Sequence, residues 1–255
     1  MESSIKIVLL GDSITQGIGS KMINYSDRLN EILADKGISC EITNLAMTGT
    51  TIDYALSLLD NIKEIDPHYI VIMYGSVDLQ VRPNQESNRF WIRSLTPKRY
   101  KNIKGMLNPR PFMSHRKGRY ILDKIDNIYR KFWRNVVLLT QGTMQYLSIE
   151  EFKQKYNYLL NELCGYKLIV LSTVYLDETI YLNSNDFYKS ANSIMKIAAE
   201  NHENTVYVDL YDQFRTIVES SGWESVYCKD HFHPNNRGYD ICAQAISEAI
   251  ERNEV

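Results

Sequence analysis

Five short runs of β-branched and other apolar residues, Ile5 to Leu10, Cys40 to Leu45, Tyr69 to Tyr74, Lys167 to Ser172 and Thr205 to Leu210, are separated from one another by stretches with the periodicity of amphipathic helices. A run that is apolar at nearly every position suits a strand buried on both faces, and parallel strands need a crossover, usually a helix, between them. The helical stretches are Tyr25 to Lys36, Ile52 to Ile62, Ile149 to Leu163, Asn185 to Asn201 and Arg237 to Arg252. In the last, Ile241, Ala245, Ile246, Ala249 and Ile250 share one face, and charged residues occupy the other. This alternation predicts an α/β fold, a three-layer α/β/α sandwich around a central parallel sheet of about five strands, flavodoxin-like in its winding. A chain of 255 residues can be built on one core, so residues 1–255 are read as a single domain.

The alternation breaks between Gln80 and about Leu147. A connection of that length implies structure of its own, and an insertion over about residues 82–147 is expected after the third strand. Within it, Tyr120 to Leu139 has helical periodicity through Ile121, Ile125, Ile128 and Phe132, whereas Pro83, Pro97, Pro109 and Pro111 mark Pro83 to Phe112 as loop or short irregular helix.

Charge is segregated along the chain. From Arg82 to Arg134 there are fifteen Lys and Arg against three acids, a charge of +12, which leaves −14 on the remainder of a chain whose formal net charge is −2. Aromatic residues (Phe90, Trp91, Tyr100, Phe112, Tyr120, Tyr129, Phe132, Trp133) are interleaved with the cations. A basic aromatic cap can offset the acidic body by packing on it or on a second subunit. It can also meet an anionic glycan or a membrane surface, where rings stack on sugars and cations meet carboxylate or phosphate. Nucleic acid ranks last, since no RNA- or DNA-binding motif is present.

The four cysteines, Cys40, Cys164, Cys228 and Cys242, are far apart, without C-x-x-C or metal-ligand spacing, and read as small core residues. The first apolar run is too short to span a bilayer, and no basic region with an apolar stretch and cleavage site precedes it. The expectation is a cytoplasmic protein with no metal and no organic cofactor.

The chemistry is carried by three short segments. The first strand runs into Gly11-Asp12-Ser13-Ile14-Thr15-Gln16-Gly17, which places a serine just past a strand's C-terminal end, where open α/β sheets bind ligands. A serine hydroxyl needs a base, a group to orient that base, and donors for the oxyanion; without them Gly-Asp-Ser is only a turn. Lys229-Asp230-His231-Phe232-His233-Pro234-Asn235 supplies base and orienter together, because Asp230 lies three residues before His233 and can fold back to one imidazole nitrogen. A solvated turn, or a chance metal site from Asp230, His231 and His233, is the competing reading, as is His231 acting as the base in place of His233.

On these residues the chain resembles the SGNH/GDSL hydrolase family over nearly all its length outside the insertion. Gly11-Asp12-Ser13 looks like the first block of that family, Asn44-Leu45-Ala46-Met47-Thr48-Gly49 like the second, and Asp230-x-x-His233 like the last. The resemblance implies Ser13 as nucleophile, His233 as base, Asp230 as its orienter, and the N–H groups of Ser13 and Gly49 as oxyanion donors. The third block departs from the pattern. The family has Gly-x-Asn-Asp, its asparagine a further oxyanion donor, where this chain has Gly75-Ser76-Val77-Asp78. Losing one such donor typically costs about 3 kcal/mol of transition-state stabilisation.

The longer stretch Gly75 to Pro83 is similar to that of SGNH proteins associated with bacterial surface-polysaccharide synthesis, which makes Arg82 a substrate or oxyanion contact; an ion pair with Asp78 or another carboxylate is the alternative. Thr48, Thr50 and Ser76 could donate by hydroxyl. The resemblance implies a serine esterase acting on O-acyl, in particular O-acetyl, groups of a sugar or polysaccharide precursor. Acyl transfer to or from the same glycan, or a catalytically silent glycan-binding or scaffold protein with Val77 in the oxyanion block, are the other readings.

Overall fold

The structure is a computed structural model that describes residues 4–19, 24–84, 107–111 and 113–252. Its centre is a five-stranded parallel sheet of β1 (Ile5–Gly11), β2 (Cys40–Asn44), β3 (Tyr69–Met73), β6 (Lys167–Leu171) and β7 (Thr205–Val208), in the order β2-β1-β3-β6-β7. Two further short strands, β4 (Arg82–Pro83) and β5 (Thr143–Met144), form a separate antiparallel ladder.

The pleat of β1 explains why its sequence is apolar throughout. Ile7 and Leu9 face one layer, Val8 and Leu10 the other, and all four are fully buried. The first layer contains α2 (Tyr25–Asp35), α9 (Leu210–Ser221) and α10 (Asn236–Arg252), contributing Leu29, Leu33, Phe214, Val218, Ile246 and Ile250. The second contains α3 (Ile52–Ser57), α4 (Leu59–Ile65), α7 (Ile149–Glu162) and α8 (Ser184–Glu200), contributing Ile52, Ile62, Phe152, Tyr156, Leu159 and Met195. Each such side chain contributes about 1.5–3 kcal/mol by leaving water, so the two apolar layers fix the sandwich.

Local chemistry sets the boundaries. Asn24 and Asp27 form a capping box at α2, as do Ser148 and Glu151 at α7. The stretch read as one helix from Ile52 to Ile62 is two, interrupted at Leu58. The run read as strand from Thr205 to Leu210 stops at Val208, because the Asp209 carboxylate accepts a hydrogen bond from Asp212 N–H at 3.1 Å and starts α9, a helix the sequence reading did not include.

The insertion is anchored at its neck. β4 and β5 pair there, and the N–H groups of Tyr146 and Leu147 both donate to Asp78 O at 3.1 Å. Its principal element is α6 (Lys117–Gln141), longer than the Tyr120 to Leu139 of the sequence reading. The inward face of α6 is polar: Asp123, Asp126, Arg130 and Arg134 are buried with Val137, while Ile121, Ile125, Ile128 and Phe132 are exposed. The inward face meets residues 107–111, where polar groups need partners. Arg110 Nε donates to Asp126 at 3.0 Å, Arg110 N–H to Asn127 at 3.2 Å, and Arg130 Nη1 to Asn108 O at 3.2 Å. Arg89, Phe90, Trp91, Arg93, Lys98, Arg99, Tyr100, Lys101, Lys104 and Phe112, all counted in the basic aromatic segment, lie outside the described residues.

Candidate active site

In the order β2-β1-β3, the chain leaves β1 to one side and returns on the other, and the crevice beyond such a reversal is where open α/β sheets bind ligands. Ser13 begins α1 (Ser13–Gln16) at that point, only 5% exposed. The turn needs Gly11, since a Cβ there would lie 2.1 Å from Thr15 Oγ1 and 2.9 Å from Met73 O. Asp12 caps α1, its Oδ1 accepting from Ile14 N–H at 2.9 Å.

The loop before α10 brings the C-terminal segment to Ser13. Cys228 N–H donates to His233 O at 2.8 Å and Asn235 N–H to Val226 O at 2.9 Å, closing a tight excursion. Within it, His233 Nε2 lies 2.9 Å from Ser13 Oγ, and His233 Nδ1 lies 2.5 Å from Asp230 Oδ2. The other Asp230 oxygen accepts from the N–H groups of Phe232 at 3.3 Å and His233 at 3.1 Å. Asp230 is only 2% exposed, so its carboxylate is held away from bulk solvent. The buried Tyr181 hydroxyl donates to Asp230 O at 2.8 Å, and its ring packs on Phe232. Tyr181 carries no sequence signal of this role, because it lies in a loop without a motif.

His231 turns away. Its Nδ1 sits 2.6 Å from Asp177 Oδ2, and its ring stacks on Trp223 at 5.2 Å between centroids. Asp230, His231 and His233 therefore do not converge on a point, and among the described residues no group of three or more His, Cys, Asp or Glu is arranged to hold a metal ion.

The second block is tied to α1. Asn44 Nδ2 donates to Thr15 O at 2.8 Å, Met47 N–H to Gly11 O at 3.2 Å, and Thr48 N–H to Gln16 Oε1 at 2.8 Å. Gly49 then stands exposed with φ of +76°, a left-handed conformation that glycine adopts without penalty. Of the hydroxyls considered as donors, Thr48 binds Gln16 and Thr50 binds Met47 O, whereas the buried Ser76 Oγ has no partner among the described residues.

The third block differs from the ion-pair reading of Arg82. No ion pair joins Arg82 to Asp78 of α5 (Ser76–Leu79) among the described residues; Asp78 Oδ1 accepts from Ile52 N–H at 2.8 Å and Oδ2 from Gly75 N–H at 2.9 Å. Arg82 instead donates from Nη2 to Val77 O at 2.8 Å and to Gln80 Oε1 at 3.2 Å, and its guanidinium lies 4.0 Å from the centre of the Tyr146 ring. Val77 is itself nearly buried.

Two carboxyls here are unusual. Burial raises Asp12 from the ordinary 3.8 to about 6 against the opposing Ile14 hydrogen bond, and burial likewise raises Asp78 to about 6. Among the described residues Asp12 Oδ2 has no hydrogen-bond partner.

The insertion touches this region directly, through Lys229 N–H donating to Pro111 O at 3.0 Å beside Asp230. No helix of the described residues is long and apolar enough to cross a membrane.

Several solved structures share this architecture. A lipase/acylhydrolase from Enterococcus faecalis is 17% identical with a TM-score of 0.63, covering 96% of this chain and 95% of its own. Axe2, an acetylxylan esterase from Geobacillus stearothermophilus, is 15% identical with a TM-score of 0.63, over 98% and 96%. Catalytic mutants of Axe2 have been solved at a serine, a histidine and an aspartate, the aspartate three positions ahead of the histidine. LAE5, an α/β hydrolase enzyme from the metagenome of Lake Arreo, Spain, is 18% identical with a TM-score of 0.62, over 98% and 96%. Comparison with curated proteins finds no match. The sequence model of the GDSL-like lipase/acylhydrolase family matches residues 9–241, most of the chain. The chain therefore belongs to the GDSL-like lipase/acylhydrolase family and is a serine hydrolase of the esterase type.

Proposed function

We propose that the enzyme removes an O-acyl group, in the simplest case acetyl, from a sugar or polysaccharide precursor through an acyl-enzyme on Ser13. The observation that carries this reading is the continuous relay from Ser13 Oγ to His233 Nε2 at 2.9 Å and from His233 Nδ1 to Asp230 Oδ2 at 2.5 Å. As Ser13 Oγ attacks the ester carbonyl, its proton passes to His233, and the carbonyl electrons move onto the oxygen. Collapse expels the sugar oxygen, which takes the proton from His233; water then repeats the sequence and releases the acid. Asp230, fixed by two backbone N–H groups, holds the imidazole tautomer and offsets the imidazolium charge.

The N–H groups of Ser13 and Gly49 are the oxyanion donors in this reading. Arg82 acts behind them as a positioning residue, holding the Val77 carbonyl and the Gln80 amide, and the unpartnered Ser76 hydroxyl is a candidate for the missing third donor. The sugar ester is supported by the shared fold with Axe2, whose solved forms are described as an acetyl-xylooligosaccharide esterase. At Pro111 the insertion forms one wall of the site, a placement supported by the contact of Lys229 with Pro111.

A fluorophosphonate probe should label the wild type and not Ser13→Ala, and the wild type should release acetate from acetylated xylo-oligosaccharides. Labelling that survives Ser13→Ala would remove the nucleophile assignment; labelling without acetate release from any O-acetylated sugar would remove the substrate class alone. Val77→Asn should raise turnover of p-nitrophenyl acetate by roughly tenfold or more by restoring a donor.

A further inference from the structure

The outward face of α6 is a feature that catalysis leaves unexplained. Ile121, Ile125, Ile128, Phe132 and Leu139 recur at spacings of three, four and seven, so they form one continuous stripe along the helix. The stripe faces solvent, with Ile128 68% and Leu139 87% exposed. Soluble proteins rarely leave a continuous apolar strip of this kind uncovered. The fold's own packing does not cover it, because the buried side of α6 is the opposite one, with Asp123, Asp126, Arg130 and Arg134.

Charge identifies the occupant. Lys117, Lys124 and Lys131 are exposed and spaced every seventh residue, so they form a row along one edge of the stripe. Among the described residues none of the three makes an ion pair, whereas both acids of α6, Asp123 and Asp126, are buried and neutralised by Arg110, Arg119 and Arg130. The outward surface therefore carries cations and no carboxylate. A second copy of the same face would offer the lysines nothing to pair with. A bilayer containing anionic lipid offers both halves of the match: acyl chains for the stripe and phosphates for lysines, whose long stems let the charge reach the headgroup level.

We infer that α6 lies flat on an anionic lipid surface, with Ile121, Ile125, Ile128, Phe132 and Leu139 in the acyl boundary and Lys117, Lys124 and Lys131 on the phosphates. A 25-residue helix lies along about 38 Å of that surface. Its N-terminal end borders a cavity of about 680 Å³ that Lys117, Tyr120 and Lys124 share with Cys228 and Lys229, the residues leading to Asp230. The inference rests on α6 alone and does not need the catalytic reading.

The test is flotation of the full-length protein with vesicles. The wild type should float with vesicles of equimolar phosphatidylglycerol and phosphatidylcholine, should bind pure phosphatidylcholine far more weakly, and should dissociate as salt rises. Ile125→Glu/Ile128→Glu/Phe132→Glu and, separately, Lys117→Glu/Lys124→Glu/Lys131→Glu should each weaken binding roughly a hundredfold. The thermal midpoint should stay at its wild-type value in both, and p-nitrophenyl acetate turnover should stay at its wild-type value in the stripe variant, which keeps a folding or catalytic failure distinct. A wild type that does not float at low salt, or that binds pure phosphatidylcholine equally well, overturns the proposal. So does a wild-type dimer that ignores vesicles and that the stripe glutamates convert to monomer, since the occupant is then a second copy.

Discussion

The helix that closes the chain and the helix that crosses the insertion share one kind of sequence, with apolar residues every three or four positions and charges between. In α10 that pattern turns inward, and Cys242, Ile246 and Ile250 are fully buried against the sheet and α2. In α6 it turns outward, and ion pairs occupy the buried side. Periodicity determines which residues share a face; what lies opposite determines where the face points. Apolar sheet lies under α10, whereas a short irregular segment with a buried arginine network lies under α6.

The largest expected effect separates the two regions by function. Asp230→Asn, in the loop leading to α10, should lower turnover about ten-thousandfold with little loss of stability, since the imidazole would be left in the wrong tautomer. Ile128→Asp on α6 should leave turnover of a soluble ester within twofold or so, because nothing near Ser13 depends on it. Steady-state rates with p-nitrophenyl acetate decide both, and equal losses would erase the distinction.

Stability gives the second contrast. Ile246→Asp buries an unpaired carboxylate and should cost about 4 kcal/mol or more, whereas the same change at Ile128 should shift stability by less than about 0.5 kcal/mol. Urea unfolding of the two variants measures this, and a comparable loss at Ile128 would mean that its face is covered.

A smaller effect concerns the carboxyls beneath the site. Asp12 and Asp78 are raised from 3.8 to about 6, so the folded state binds more protons than the unfolded state between those values. Stability contributed by these groups therefore rises as pH falls from about 6 to 4, and their burial costs most above 6. Asp12→Asn keeps an oxygen for Ile14 N–H and removes the buried charge. It should gain on the order of 2 kcal/mol at pH 7, with roughly half of the wild type's pH 6-to-4 slope surviving through Asp78. An unchanged slope would show that Asp12 is not the titrating group.

The smallest effect is at the second histidine. His231→Ala should keep turnover within about threefold and lose about 1 kcal/mol with the Asp177 contact and the Trp223 stack. A dead His231→Ala with an active His233→Ala would reverse the assignment of the base.

Much of this protein follows from local sequence. The double burial of β1 is written in Ile7, Val8, Leu9 and Leu10, because alternating side chains must find apolar neighbours on both faces. Ser13 after β1 and Asp230 three residues before His233 are also legible, since strand ends and one-turn spacings are short-range geometry. The 2.9 Å approach of Ser13 to His233 across 220 residues is not, and neither is the divergence of His231, which depends on Asp177 from another loop. Arg82 shows the same limit: its charge was evident, but its partners, the Val77 carbonyl and the Tyr146 ring, come from segments on either side of the insertion. The sequence by itself determined which residues would lie together along each strand and helix, because those spacings are set by the backbone. Only the tertiary structure decided which way α6 turned its apolar stripe and what Tyr181, Asp177 and Ser76 face, because those choices depend on partners far away in the chain.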